Sequence, residues 1–207
     1  MKPKKPIITI GILAFSLVMA WAAWPTIVVK SIAFVEPKGE EPSRRACDRI
    51  IEVGPRTIQP IIRSLRRHGP WSRRYCYLPI ALRELGEPAH EALMQTIDEE
   101  VDPLTRTKLI SSLQSGFQDF SRLSVVIEDS RTGLIRGYPL FMMSGYIRMM
   151  YPDAPPFQVD DPVEGMVNPD FADWWYQKSI QKRHDSGMMP QTFNHKANRT
   201  SSVGPVA

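Results

Sequence analysis

A helical pattern recurs within residues 43–117 with a period of about 30 residues, and it limits the possible folds more than any other feature. The string S-R-R-x-C begins at Ser43 and again at Ser72, which lies 29 residues further on. A third and weaker copy begins at Asp102. A unit of this length holds two short helices, and such units bury their apolar faces only by stacking on one another. The sequence therefore predicts an all-α fold, a short α-solenoid of about three helix pairs.

Glycine and proline mark the helix ends within this region. Gly54 is followed by Pro55 and Gly86 by Pro88, the order expected where one helix ends and the next begins. Pro79 falls inside a predicted helix and should kink it. The predicted helices are 43–53, 55–67, 72–85, 88–99 and 104–115, followed by a looser pair that begins at Leu123 and at Tyr138 and ends at Met150.

These short helices resemble the HEAT-like repeats, in which an arginine opens the second helix and an LG-x-P string leads into the next unit. The residues that carry the resemblance are Arg44, Ile51 and Gly54, then Arg74, Leu82 and Gly86, then Arg106 and Leu113. The resemblance covers residues 43–129, under half of the chain, and it implies an architecture far more than an activity. HEAT-like proteins include phycobilin lyases and alkylpurine DNA glycosylases, and no residue here carries over from the glycosylases.

An uncharged apolar run covers residues 7–29, interrupted only by Pro25. As a helix it would rise about 34 Å, enough to cross a hydrocarbon core of about 30 Å. Trp21 and Trp24 lie near one end, where aromatic residues meet the membrane interface. The run therefore predicts a transmembrane signal anchor at 7–29.

A cleaved signal peptide is the alternative interpretation of this run, because Ala20 and Ala22 have the spacing of a cleavage site. Cleavage would leave a soluble periplasmic adaptor. Three lysines within the basic N-terminus, residues 1–6, favour a cytoplasmic N-terminus over the mixed charges of the linker at 30–42. We therefore expect a single-pass protein of a bacterial inner membrane whose repeat domain, residues 43–151, is periplasmic.

Residues 152–207 form a Pro-rich extension in the sequence, with a short helix predicted at 171–183 and a polar tail after it. The helix carries Trp174 and Trp175, and adjacent tryptophans should not share one face of a short helix. We expect one of them to pack on the last repeat and the other to contact a partner or the membrane interface.

A basic cluster is predicted at one inter-helix turn. Its arginines are Arg63, Arg66, Arg67, Arg73 and Arg74, and His68 lies among them. One interpretation is a solvated face with intramolecular ion pairs. The other is a docking patch for an acidic protein surface or lipid headgroups, which the planar guanidinium binds in bidentate fashion.

Other chemistry-bearing residues predict no site. The four histidines lack a carboxylate or cysteine at ligand spacing, and the motifs of hydrolases, metalloproteases and phosphate loops do not occur. Four methionines, Met142, Met143, Met149 and Met150, fit a core stripe better than copper ligands. Cys47 and Cys76 occupy equivalent repeat positions, and we expect buried small apolar residues there rather than a disulfide, although pairing stays open.

The sequence is therefore most consistent with a non-enzymatic protein without cofactors. We expect an accessory subunit or scaffold that binds and stabilises a larger membrane protein complex, for example a photosynthetic, respiratory or secretion complex, and that binds no nucleic acid. A net charge of +4 suits an anionic partner but does not require one. A HEAT-like lyase or chromophore-handling enzyme remains the alternative from another functional class.

Overall fold

The computed structural model describes residues 5–34, 40–72 and 75–185. Within these ranges helices are the only regular elements, apart from one antiparallel bridge between Gln158 and Val167, so the prediction of an all-α chain is confirmed. The elements are α1 (Lys5–Phe34), α2 (Glu40–Val53), a 3₁₀ helix (Gly54–Thr57), α3 (Ile58–His68), α4 (Leu78–Glu84), α5 (Glu87–Glu99), α6 (Pro103–Phe117), α7 (Leu123–Arg131), α8 (Tyr138–Met150) and α9 (Pro169–Asp185).

The helix predicted at 72–85 is shorter in the structure, and the kink expected at Pro79 is wrong. The helix begins only at Leu78, which places Pro79 in its first turn. A proline is tolerated there because the first N–H groups of a helix have no partner within it. The helix predicted at 55–67 is also divided, because the segment after Gly54 first forms the 3₁₀ helix.

Two series of contacts join alternate helices of the chain. One series joins α2 to α4, α4 to α6 and α6 to α8, and the other joins α1 to α3 and α3 to α5. The central helix is α6, which also contacts α3, α5 and α7. A Cβ atom at Gly116 would lie 2.5 Å from the carbonyl oxygen of Pro79, so glycine permits the close approach of α6 to α4.

The first helix joins this core at its C-terminal end. Val28, Val29 and Ile32 are buried in the same apolar cluster as residues of α2 to α8, and α1 contacts α2, the 3₁₀ helix and α3. The linker predicted at 30–42 is correspondingly shorter, since residues 30–34 continue α1 and residues 40–42 begin α2. Among the described residues α1 is the one helix that is long and apolar enough to cross a membrane, over Ile12–Ile32.

The Pro-rich segment after α8 folds back onto the end of the helical domain. The side-chain amide of Gln158 donates to the carbonyl oxygens of Gly137, Asp161 and Gly165 at 3.0–3.3 Å, which closes the segment into a compact loop. The backbone N–H of Val167 then donates to Ser130 Oγ of α7 at 2.9 Å. Phe157, Val167, Phe171 and Trp175 therefore belong to the same apolar cluster as the preceding helices. The polar tail predicted after residue 183 lies, from residue 186 on, outside the described residues.

Candidate functional site

The basic cluster is only partly available for docking. Arg66 forms an ion pair with Glu100, with Nη2 2.6 Å from the carboxylate oxygen Oε2, and Nε donates to the same oxygen at 2.9 Å. The Glu100 side chain is only 5% exposed, so Arg66 neutralises a carboxylate that packing has removed from water. Arg73 and Arg74 lie outside the described residues. For Arg66 the structure matches the interpretation as an intramolecular pair.

Two exposed cations remain on α3, Arg63 and Arg67, one helical turn apart. Lys108 Nζ lies beside them and donates to the carbonyl oxygen of Arg67 at 3.2 Å. The ring of His68 stacks parallel on Tyr75 with 4.4 Å between centroids. Partial burial, followed by the charges of Arg67 and Lys108, lowers the pKa of His68. The imidazole is therefore harder to protonate than a free histidine, so the positive charge of this surface comes mainly from Arg63 and Arg67.

Sequence reasoning missed the acidic residues that link the helices. Arg106 Nη2 contacts both carboxylate oxygens of Asp129 at 2.8 Å, and its Nη1 donates to the carbonyl oxygen of Glu100 at 3.3 Å. The side chain of Glu100 also accepts the backbone N–H of Asp102 at 3.2 Å. Arg106 thus ties α6 to α7 and to the α5–α6 turn. The recurrence of arginine in the sequence was a signal for this role, but the partners lie far away in sequence.

Trp174 and Trp175 differ in burial, as expected, but both belong to one aromatic cluster. Tyr151 lies at its centre, with ring centroids 5.7 Å from those of both tryptophans. Trp175 is 8% exposed, and its indole N–H donates to Ser124 Oγ on α7 at 3.1 Å. Trp174 is half-buried and carries the Lys178 ammonium 4.7 Å from its ring centroid. The accessible part of this cluster is the edge formed by Trp174 and Lys178.

A groove of about 630 Å³ opens between α8 and the Pro-rich loop. Its α8 wall includes Phe141 and Arg148, and its opposite wall includes Pro155, Val159 and Asp160. Phe141 and Val159 are about half exposed. The groove thus combines apolar walls with a cation on one side and a carboxylate on the other, which suits a polypeptide segment or a small amphipathic molecule.

Arg56 contacts Trp21 at the junction between α1 and the helical domain. The guanidinium of Arg56 lies 3.6 Å from the centroid of the Trp21 ring, and its Nη2 donates to the carbonyl oxygen of Trp21 at 2.7 Å. Pro25 follows four residues after Trp21 and has no N–H, so it cannot supply the helical hydrogen bond to that carbonyl. Arg56 supplies the missing donor from the 3₁₀ helix.

The cysteines and methionines only partly match their expected roles. Cys47 is buried and donates to the carbonyl oxygen of Tyr77 at 3.5 Å, whereas Cys76 is exposed, and the two are not joined in a disulfide. Burial raises the pKa of the Cys47 thiol to about 11. Of the predicted methionine stripe, Met143 is buried while Met149 and Met150 are exposed, so the core stripe stops short of the end of α8.

No group of three histidine, cysteine, aspartate or glutamate side chains converges on a metal-sized site within the described residues. No protein-family model, curated protein or solved structure matches the chain significantly. The resemblance to HEAT-like repeats therefore depends on the residues quoted above.

Proposed function

We propose that the chain is a membrane-anchored interaction subunit, held in a bilayer by α1 and binding other subunits of a membrane protein complex with its helical domain. The observation that carries the proposal is the division of α1. Its large apolar side chains between Ile12 and Trp24 are exposed, while Val28, Val29 and Ile32 lie in the domain core. An exposed apolar surface of this extent requires a bilayer or a protein partner.

A helical solenoid is the second part of the proposal. The pairs would be α1 with α2, α3 with α4, α5 with α6 and α7 with α8, and α9 would cap the last pair. The contacts between alternate helices from α1 to α6, and the contact of α6 with α8, support this arrangement, and the contact of α9 with α7 supports the cap. This is one pair more than the sequence repeat suggests, because the end of α1 takes the place of a first-type helix. Solenoids present long surfaces to other proteins.

Three surfaces of the domain are the proposed partner contacts. They are the exposed pair Arg63 and Arg67, the edge formed by Trp174 and Lys178, and the groove beside α8. Arginine and half-exposed tryptophan are the residue types that contribute most to binding at protein interfaces. An N-terminus in the cytoplasm with the domain in the periplasm remains the proposed orientation.

The test is purification of the tagged native protein in a mild detergent, with intact-mass spectrometry of every co-eluting chain. We expect stoichiometric membrane subunits and an uncleaved α1. Replacing both Arg63 and Arg67 with glutamate should release those subunits, while the same replacement at Arg83, which is paired with the neighbouring Glu84, serves as the matched control. A monomer that carries no partner would refute the proposal.

A soluble adaptor released by signal peptidase is the second candidate, and the division of α1 favours it too. Cleavage after Ala22 would remove most of the exposed apolar part, though not Trp24, and would keep Pro25 and the buried residues that follow. The cation–π contact and hydrogen bond from Arg56 to Trp21 would then be lost. The intact mass of the mature chain separates the two candidates, because cleavage removes 22 residues.

The chromophore-handling alternative is supported only by the groove beside α8. Its volume of about 630 Å³ lies within the range of small-molecule pockets. A bound pigment would give the purified protein an absorption band beyond that of its aromatic residues. If the purified protein lacks such a band but carries stoichiometric subunits, the result supports the interaction role.

A further inference from the structure

The helical packing around the end of α1 limits where a bilayer can lie. α2 packs against α1, and seven of its fourteen residues are charged. Charged side chains are costly in the hydrocarbon core, and α2 has no neighbouring transmembrane helix among the described elements to shield them. The part of α1 that contacts α2 and carries Val28, Val29 and Ile32 must therefore lie outside the hydrocarbon.

Arg56 marks the level at which α1 leaves the hydrocarbon and joins the helical domain. Its guanidinium is exposed and contacts both the ring and the carbonyl oxygen of Trp21. A guanidinium is tolerated at the headgroup level, where tryptophan side chains are also enriched. The hydrogen bond to the Trp21 carbonyl fixes the arginine to one turn of α1. The charge and the interfacial aromatic residue thus lie at the same depth.

The remaining length of α1 fits a span that stops at this level. From Lys5 to Trp21 the helix rises about 25 Å. This is a few Å less than an average hydrocarbon core, a mismatch that a membrane meets by thinning locally or by snorkelling of a lysine. A span of this length stands nearly upright, since tilting would shorten its reach across the bilayer.

We infer that the bilayer surface lies at Trp21, that Arg56 contacts the lipid headgroups there, and that the helical domain rests directly on the membrane instead of hanging from a linker. The inference rests on the proposed anchoring function. It replaces a span over residues 7–29 with one that ends about two turns earlier, and it assigns residues 25–34 to the domain. The surface formed by Trp21 and Arg56 therefore has the lipid headgroups as its partner.

Cysteine accessibility tests the position of the boundary. The background variant is Cys76→Ser, in which the one remaining thiol, Cys47, is buried. Val18→Cys and Ile27→Cys are then made singly, at side chains that are 61% and 50% exposed and thus comparable in the protein alone. Membrane fragments open to both sides are treated with a membrane-impermeant maleimide, and labelling after denaturation in SDS gives the total thiol.

We expect Ile27→Cys to be labelled in membranes as completely as in SDS, once the label that Cys47 takes up in SDS in the Cys76→Ser background is subtracted. Val18→Cys should stay unlabelled until denaturation. Protection of both positions would overturn the inference but leave the anchor standing, because the span would then reach residue 29. Equal labelling of both positions would instead refute the anchoring function. So would recovery, in the soluble fraction, of a shortened chain that lacks residue 18.

Discussion

Arg106 and Asp129 form a largely buried ion pair that links two helices of the domain. Arg106 Nη2 lies 2.8 Å from both carboxylate oxygens, and the side chains are 24% and 9% exposed. The pair ties the first turn of α6 to the end of α7. The backbone carbonyl oxygen of Asp129 also accepts the N–H groups of Leu134 and Ile135, so the α7–α8 connection depends on the position of this residue.

Replacing Arg106 with methionine should destabilise the protein strongly. The carboxylate of Asp129 would stay buried without its cation, and breaking a buried pair in this way costs about 3 kcal/mol. The double variant Arg106→Met with Asp129→Leu should recover part of that loss, because no charge is then left buried. Urea unfolding of the detergent-solubilised protein, followed by circular dichroism, measures both changes.

Arg122 and Asp98 supply the matched control for this prediction. Their oxygens and nitrogens also approach to 2.8 Å, but Asp98 is 54% exposed. Removal of Arg122 should therefore cost no more than about 1 kcal/mol. Equal losses for Arg106→Met and Arg122→Met would show that burial does not set the contribution of the α6–α7 pair.

Gly116 and Gly145 allow a second prediction, because both lie inside helices but meet different surroundings. Gly116→Ala should destabilise the protein by about 1–3 kcal/mol, since the new methyl group would collide with the Pro79 backbone of α4. Gly145→Ala has no heavy atom within 4 Å of the new methyl group. It should stabilise α8 by roughly 0.5–1 kcal/mol through helix propensity. Thermal unfolding of both variants measures the difference, and a stabilising Gly116→Ala would contradict the close packing of α6 on α4.

The sequence alone predicts the buried face of a helix well where the apolar signal is local. The apolar stripe of α3 at Ile58, Ile61, Ile62 and Leu65 is buried as its helical spacing indicates. The burial of Val28, Val29 and Ile32 could not be predicted in the same way. A run of apolar residues has the same composition whether lipid or protein covers it, and only the tertiary contacts of α1 decide between them.

The candidate surfaces were predictable only where the chain brings residues together locally. Arg63, Arg66 and Arg67 are neighbours on one helix, but the partner of Arg66 lies 34 residues away at Glu100. The joint packing of Trp174 and Trp175 depends on the loop that returns α9 to Tyr151. Helix geometry points adjacent side chains in different directions. It does not show that the rings of Trp174 and Trp175 are large enough for both to contact Tyr151.

Trp175→Phe is the third prediction, and it tests the aromatic cluster. Phenylalanine keeps most of the buried ring but cannot donate to Ser124 Oγ, so the free energy of unfolding should fall by about 1 kcal/mol. Trp175→Ala should cost about 3–5 kcal/mol, because it leaves a cavity beside Tyr151. Trp174→Ala should cost clearly less, since that ring is half-buried. Similar losses at both positions would contradict the different burial of the two rings.

The fourth prediction concerns acid, and it follows from the pair between Asp98 and Arg122. The hydrogen bond from Arg122 lowers the pKa of Asp98 in the folded protein. A carboxyl group whose folded pKa lies below its unfolded value stabilises the fold above the unfolded value of about 4, and this contribution is lost as the pH falls through the folded pKa. The melting temperature should therefore fall between about pH 5 and pH 2, and Asp98→Asn should reduce the fall.

In an Arg122→Gln background the same Asp98→Asn change should have almost no further effect on the pH dependence. If Asp98→Asn reduces the acid loss equally with and without Arg122, the guanidinium is not the cause of the shift, and the ion pair between Asp98 and Arg122 contributes nothing that depends on pH.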